Sequence, residues 1–229
     1  MLKFLATSII ALACLVALCA QTKDAGEQTW TSTFQIVDGE LSSTGRNPYF
    51  ILEPGYRMVL VNGNDRLTIT VLNETRKTDN VETRIVEERE TRNDRPVEIS
   101  RNYFAISKRT NNVYYFGEDV DIYKAGKVVS HEGAWMAGVN GARFGLAMPG
   151  VPTLKARYYQ ELAPGVAMDR AEIVSLSETF NTPAGVFKDV LKIVETSPLE
   201  RGAAEAKYYA PGVGLLRDGS LKLVKYCKF

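Results

Sequence analysis

Two β-rich runs, Tyr56-Arg-Met-Val-Leu-Val61 and Arg66-Leu-Thr-Ile-Thr-Val-Leu72, stand on either side of Asn62-Gly63. Asn-Gly is the strongest short-range signal for a two-residue hairpin turn, so this stretch is constrained to fold back on itself as antiparallel strands. The same grammar recurs along the chain. Thr31–Val37 stops at Asp38-Gly39, Val120–Tyr123 and Val128–His131 flank Ala125-Gly126, and Leu221–Tyr226 follows Asp218-Gly219. Thr182-Pro-Ala-Gly185 fits a type I turn between Ala171–Phe180 and Phe187–Thr196. Further short runs lie at Tyr103–Ser107, Val113–Phe116, Arg157–Leu162 and Ala206–Tyr209, and no long stretch has a helical period. The chain is therefore expected to form an all-β, mainly antiparallel single domain, a highly curved sheet or half-open barrel.

Two segments need separate treatment. Val81–Arg95 is dense in Glu and Arg, and Glu88 and Arg92 have the spacing of a helical ion pair. Yet Val81, Thr83, Ile85, Val97 and Ile99 are β-branched and alternate with polar residues. The expectation is a long, solvated hairpin turning at Asn93-Asp94, its charges on an exposed face that also discourages edge pairing. Gly133–Pro152, with five glycines among Met136, Phe144, Leu146 and Met148, reads as a Gly-rich covering loop with one short helical turn.

Residues 1–20 have one basic residue, Lys3, then a nearly unbroken apolar run to Ala20, which is the pattern of a secretory signal peptide. The run is too short for a confident membrane span, which takes about 20 apolar residues. Cys19 stands where a lipoprotein signal is cut, although Leu18 replaces the small residue preferred there. Acylation of Cys19 would be the chain's sole hold on a membrane, and cleavage beyond it would release a soluble secreted protein. The favoured location is the periplasm or an outer-membrane tether. Residues 21–28 form a polar tether, and residues 29–229 form the β domain.

Lysines and arginines number 28 against 27 acids, and setting aside Lys3 leaves the two in balance. A nucleic-acid binder needs a basic surplus, so that class is excluded. Three cysteines, Cys14, Cys19 and Cys227, make no disulfide framework. No phosphate loop, CxxC or HExxH is present, and no cofactor is implied. His131 is the sole histidine, which excludes a multi-histidine metal site within one chain.

The remaining candidates are constellations rather than motifs. If Ala125-Gly126 is a two-residue turn, Val120 pairs with His131 and places the imidazole diagonal to Glu118, a candidate acid–base couple. Glu161 and Asp169 flank Ala163-Pro-Gly165 as a second carboxylate pair. Asp119 and Asp121 share one strand face and are the candidate cation ligands, although a cation such as calcium wants six or more oxygens. Tyr115, Tyr123, Met136, Phe144 and Met148 are candidates for a ligand surface. The adjacent pairs Tyr114-Tyr115, Tyr158-Tyr159 and Tyr208-Tyr209 put one ring on each face of the sheet, so either one face is an open platform or loops cover it.

Asn47-Pro-Tyr-Phe-x-Leu-x-Pro-Gly55, Thr182-Pro-Ala-Gly-Val-Phe-Lys188 and Lys207-Tyr-Tyr-Ala-Pro-Gly-Val-Gly-Leu215 together resemble a family of uncharacterised secreted bacterial β-rich proteins. That family is similar to the lipoprotein-carrier-like (LolA/LolB-like) class, and Ile51 departs from it where a proline is expected. The resemblance implies a curved sheet whose concave side packs its own loops or shelters an apolar ligand, with no catalytic residue to transfer. The function expected is a non-enzymatic envelope or secreted binding protein whose partner is a lipid, a glycan or an envelope protein. A hydrolase of envelope polymers, using a carboxylate/histidine pair, is the competing expectation.

Overall fold

A computed structural model describes residues 29–37 and 39–228, so the leader, Cys19 and the polar tether lie outside it. Among the described residues there are strands and no helix. Along the chain they are β1 (Leu41–Ser42), β2 (Gly45–Asn47), β3 (Phe50–Leu52), β4 (Tyr56–Asn62), β5 (Asp65–Thr78) and β6 (Val81–Arg92). Then come β7 (Arg95–Ser107), β8 (Val113–Lys124), β9 (Lys127–Ser130), β10 (Trp135–Met136), β11 (Arg143–Met148) and β12 (Arg157–Tyr159). The last six are β13 (Glu161–Leu162), β14 (Arg170–Thr182), β15 (Gly185–Ser197), β16 (Glu200–Ala210), β17 (Gly214–Asp218) and β18 (Leu221–Lys228).

Turn chemistry sets the hairpins. Asn62 pairs with Asp65 around Gly63-Asn64, and Arg92 with Arg95 around Asn93-Asp94. Asn93 and Asp94 both hold positive φ, 52° and 59°, the primed geometry that matches strand twist. Lys124 pairs with Lys127 about Ala125-Gly126, and Thr182 with Gly185 about Pro183-Ala184.

The main sheet runs β12-β14-β15-β16-β17-β18-β4-β5-β6-β7-β8-β11-β13, antiparallel throughout, with β1, β9 and β10 added beside β7 and β8. Its two ends are one piece of chain. Tyr158 of β12 pairs with Ala171 of β14, while Glu161 of β13 pairs with Phe144 of β11. Between them the N–H groups of Gln160 and Glu161 both donate to the Asp169 carbonyl. The sheet is thereby nearly closed into a barrel, with a seam that no continuous ladder seals. Where this segment crosses β11, a Cβ at Gly145 would lie 2.2 Å from the Gln160 carbonyl oxygen, so only glycine fits.

The structure departs from the sequence reading at Gly133–Pro152. The segment forms no helical turn, and much of it is strand, β10 and β11. The small and apolar run Gly145-Leu-Ala-Met148 pairs with Val113–Tyr115 and is taken into the sheet. The outer faces of the tyrosine pairs are covered as well. Thr31 N–H donates to the Arg157 carbonyl, and the Thr31 carbonyl accepts from Tyr159 N–H, which lays Trp30 against Tyr159 and Phe34 against Tyr114. The Arg170 guanidinium sits 4.3 Å over the Trp30 ring.

Leu52, Leu60, Leu67, Ile173, Ile193, Leu216 and Leu223 are wholly buried, each stabilising the fold by about 1.5–3 kcal/mol. One buried polar residue ties the small β2–β3 hairpin to this body. Asn47, with no exposed surface, donates through Nδ2 to the carbonyls of Asn111 and Pro149 and accepts from Tyr49 N–H. Asn47→Ala removes the partner of those part-buried carbonyls and is expected to lower unfolding free energy by about 1–3 kcal/mol in urea titration. Gly150→Ala, whose Cβ would meet the Thr110 carbonyl oxygen at 1.8 Å, is expected to cost more than Gly63→Ala, where the Cβ meets nothing. Equal losses at the two glycines would contradict the close approach.

Candidate functional site

The registers place charged residues on the concave side. Across β4 to β8, Met58, Ile69, Glu88, Ser100 and Val120 lie side by side, as do Leu67, Glu90 and Glu98, and Val86, Asn102 and Glu118. Directly opposed residues share a sheet face. On the other half, Tyr158, Ala171, Glu195 and Glu205 form one row, and Lys207 lies beside Ile193. Four strands separate β6 from β16 in the sheet order, yet Glu88 and Lys207 line one cavity. Curling of the sheet brings them together.

That cavity has a volume of about 90 Å³. Ile51, Met58, Ile69, Val71, Val86 and Leu215 form its apolar wall, and Glu88, Lys207, Tyr209 and Asp218 give it a polar side. Lys207 Nζ lies 3.0 Å from Glu195 Oε2 and 3.7 Å from Asp218 Oδ1. Lys207 and Asp218 each keep 23% of their side-chain surface open and line the cavity, and Glu195 keeps 13% behind them. Burial works against the Lys207 ammonium, but the Glu195 and Asp218 carboxylates outweigh it and hold the amine well above its ordinary range.

The surrounding carboxyls are short of positive charge. Enclosure, reinforced by Asp218, Glu90 and Glu98 and opposed by Lys207, pushes Glu88 up to about 7. Enclosure and the nearby Glu88 push Glu118 up to about 8, against a hydrogen bond with Tyr115. Glu161 is driven well above its ordinary range by burial, then by Glu118, Asp169 and Glu195. Glu90, Glu98, Asp169 and Glu205 are raised as well, burial being the largest cause in each. Tyr158, 3% exposed, has a buried hydroxyl without a hydrogen-bond partner among the described residues, beside Glu195 and Tyr209.

Three of the four acid–base candidates, Glu118, Glu161 and Asp169, lie within reach of one another's charge. His131 does not join them. The ladder slips by one residue between Tyr123↔Val128 and Ile122↔Ser130, which turns the imidazole away from Glu118. Its Nδ1 lies 2.8 Å from the Val120 carbonyl and 3.0 Å from Asp121 Oδ1, on the surface. The candidate cation ligands are engaged elsewhere too. Asp119 accepts from Arg76 at 2.7 Å and from the Tyr103 hydroxyl at 2.6 Å, while Asp121 faces His131 and Arg101. Among the described residues no three His, Cys, Asp or Glu side chains converge as a metal site requires.

The five ligand-surface candidates do not form one surface. Tyr115 is buried, stacked on Phe104 at 4.6 Å with its hydroxyl donating to Asn102 Oδ1. Met148 is in the core, and Phe144 stacks on Phe116 at 5.1 Å. Tyr123 is half-buried on β8, and Met136 lines a separate surface hollow with Trp135 and Val139. Pairing of β11 with β8 accounts for the loss of Met148, which lies beside Val113.

Sequence reading misses Glu88, Lys207, Tyr209 and Asp218 as a group. It puts the Val81–Arg95 charges on a solvated face, where Glu82, Arg89, Glu90, Arg92 and Arg95 do lie, but Glu88 points into the barrel and Arg84 is buried with its Nε donating to the Ser43 carbonyl. A signal is present in two of the segments that carry the resemblance. Gly212 N–H donates to the Pro48 carbonyl, and these segments supply Tyr49, Phe50, Ile51, Lys207, Tyr209, Gly214 and Leu215 to the cavity. No protein-family model matches this chain, and no similar protein was found among the curated proteins or the solved structures.

The raised carboxyls fix a pH dependence. A carboxyl that holds its proton more tightly when folded stabilises the fold fully below about 4.5 and loses that contribution as pH rises through its folded value. For Glu88 and Glu118 the window runs from about 4.5 to about 7 and about 8. Each group contributes at most about 1.4 kcal/mol per pH unit inside it. The melting temperature is expected to fall by roughly 10–20 °C between pH 5 and pH 8, and Glu88→Gln with Glu118→Gln to flatten the slope. A melting temperature that rises over this range would mean ionised, well-paired carboxylates.

Proposed function

We propose that this chain is a non-enzymatic binding protein that takes a small ligand into the barrel lumen. The observation that supports this reading is the cavity of about 90 Å³, apolar on one side and lined by Glu88, Lys207, Tyr209 and Asp218 on the other. Such a division lets the wall contribute affinity while a few polar groups orient the ligand. The size favours a ligand of only a few heavy atoms over a whole lipid chain, so the sheltering role implied by the lipoprotein-carrier resemblance narrows to a small molecule. The apolar leader and Cys19 support a cell-envelope setting for this binding, either tethered or free.

A hydrolytic role is the second reading, and the charge coupling of Glu118, Glu161 and Asp169 is the observation that favours it. Two carboxyls held at different protonation states are what an acid–base mechanism needs. Glu118→Gln and Glu161→Gln would then each lower activity on an envelope polymer at least about a hundredfold. Unchanged activity would dismiss hydrolysis.

Native mass spectrometry of the protein from its own envelope tests the binding reading. A non-covalent adduct of small mass is expected, and it should be lost in Ile69→Phe, which fills the cavity. An adduct that survives Ile69→Phe, or none in the native protein, would contradict it. The same spectra read the mature N-terminus, where an acylated Cys19 is expected and a free Ala20 or Gln21 would mean a soluble protein.

A further inference from the structure

We infer that the lumen cavity is a site for a short-chain organic amine, bound as its ammonium ion; this rests on the lumen being a binding site at all. Two features of the cavity select that chemistry. The first is charge. Glu88 and Asp218 line the cavity, the charges of Glu90, Glu98 and Glu118 also reach Glu88, and Lys207 is the cation that opposes them there. That ammonium is already committed to Glu195 and Asp218. Glu88 lines the cavity without a hydrogen-bond partner among the described residues, and Tyr209 lines it as well. A guest carboxylate would find the Lys207 ammonium engaged and Glu88 beside it. A guest ammonium would supply the charge the cluster lacks.

The second feature is the wall. Met58, Ile69, Val71, Val86 and Leu215 offer carbon contacts and no oxygen ligands, so they suit a hydrocarbon tail. A hard cation such as Ca²⁺ needs six or more oxygens in one shell, which these residues do not provide. The volume of about 90 Å³ fits a chain of about four carbons, well below the cavity of about 150 Å³ that holds benzene in another protein.

The groups facing Glu88 set the pH behaviour. Lys207 stands on β16, Asp218 on β17, Glu90 on its own strand, Glu98 on β7 and Glu118 on β8. Binding an ammonium stabilises the ionised form of Glu88 and so releases a proton. Affinity should therefore rise from pH 5 to pH 8.

The test is an NMR titration of the ¹⁵N-labelled chain with n-butylamine, n-butanol, butyrate and calcium chloride. Butylamine is expected to shift the amides of Ile69, Tyr209 and Gly214, to bind at least tenfold tighter at pH 8 than at pH 5, and to weaken at least tenfold in Glu88→Gln. Butanol is expected to bind at least tenfold more weakly than butylamine, and butyrate and calcium should leave those amides unshifted. If butanol or butyrate binds as well as butylamine, the lumen is a binding site but the amine assignment is wrong. Calcium saturating the same amides would equally overturn it. No response to any probe would remove both the amine site and the lumen reading. Glu88→Gln keeps the side-chain shape and removes a buried charge, and a native-like amide spectrum verifies its fold before the comparison.

Discussion

An antiparallel sheet leaves its two end strands half-paired, and here a single segment resolves both ends. Arg157–Tyr159 pairs with β14 and Glu161–Leu162 pairs with β11, so the first and last strands are successive residues of one chain. The sheet must then curl until those ends meet, and everything on its concave side becomes an interior. Gly145 allows the crossing, and the Asp169 carbonyl holds it through Gln160 and Glu161. Without that segment, Glu88 and Lys207 would sit four strands apart on an open surface and keep ordinary protonation behaviour.

Closure turns a common pattern into an uncommon one. Most half-exposed strands put apolar residues inward and charges outward. In β6 the inward row contains Val86 and Glu88, so a carboxyl that would be solvated on an open sheet lines a cavity, while Glu90 further along the row stays exposed. A paired Lys207 relieves only part of that cost. The remaining deficit of positive charge appears as carboxyls that hold their protons near neutral pH. The same deficit gives the cavity its preference among ligands.

Much of the fold is legible in the sequence, because turn chemistry is local. Asn93-Asp94 and Ala125-Gly126 turn the chain where their residues dictate, and Asn62-Gly63 does so within one position. What local reasoning lacks is the curl. The β8–β9 slip that sends His131 to Asp121 arises from a bulge with no distinctive residue to mark it. The inward turn of Glu88 depends on partners more than a hundred residues away. The core positions of Met148 and Tyr115 follow from β11 entering the sheet, which the glycines of Gly133–Pro152 disguise as a loop. Asn47, Tyr49 and Lys207 stand out as parts of recognisable segments, and their convergence on one side of the barrel is visible only in three dimensions.

The central claim is that enclosure in the barrel, rather than sequence context, sets the charge state of the lumen. Titrating the side-chain carboxyl ¹³C signals of Glu88 and Glu118 by NMR measures this directly. The account predicts midpoints at about 7 for Glu88 and about 8 for Glu118 in the folded chain. The same signals in the urea-unfolded chain should titrate at about 4.3, as a glutamate does in a peptide. Folded-state midpoints that coincide with the unfolded ones would show that the lumen is open to bulk water, and would contradict it.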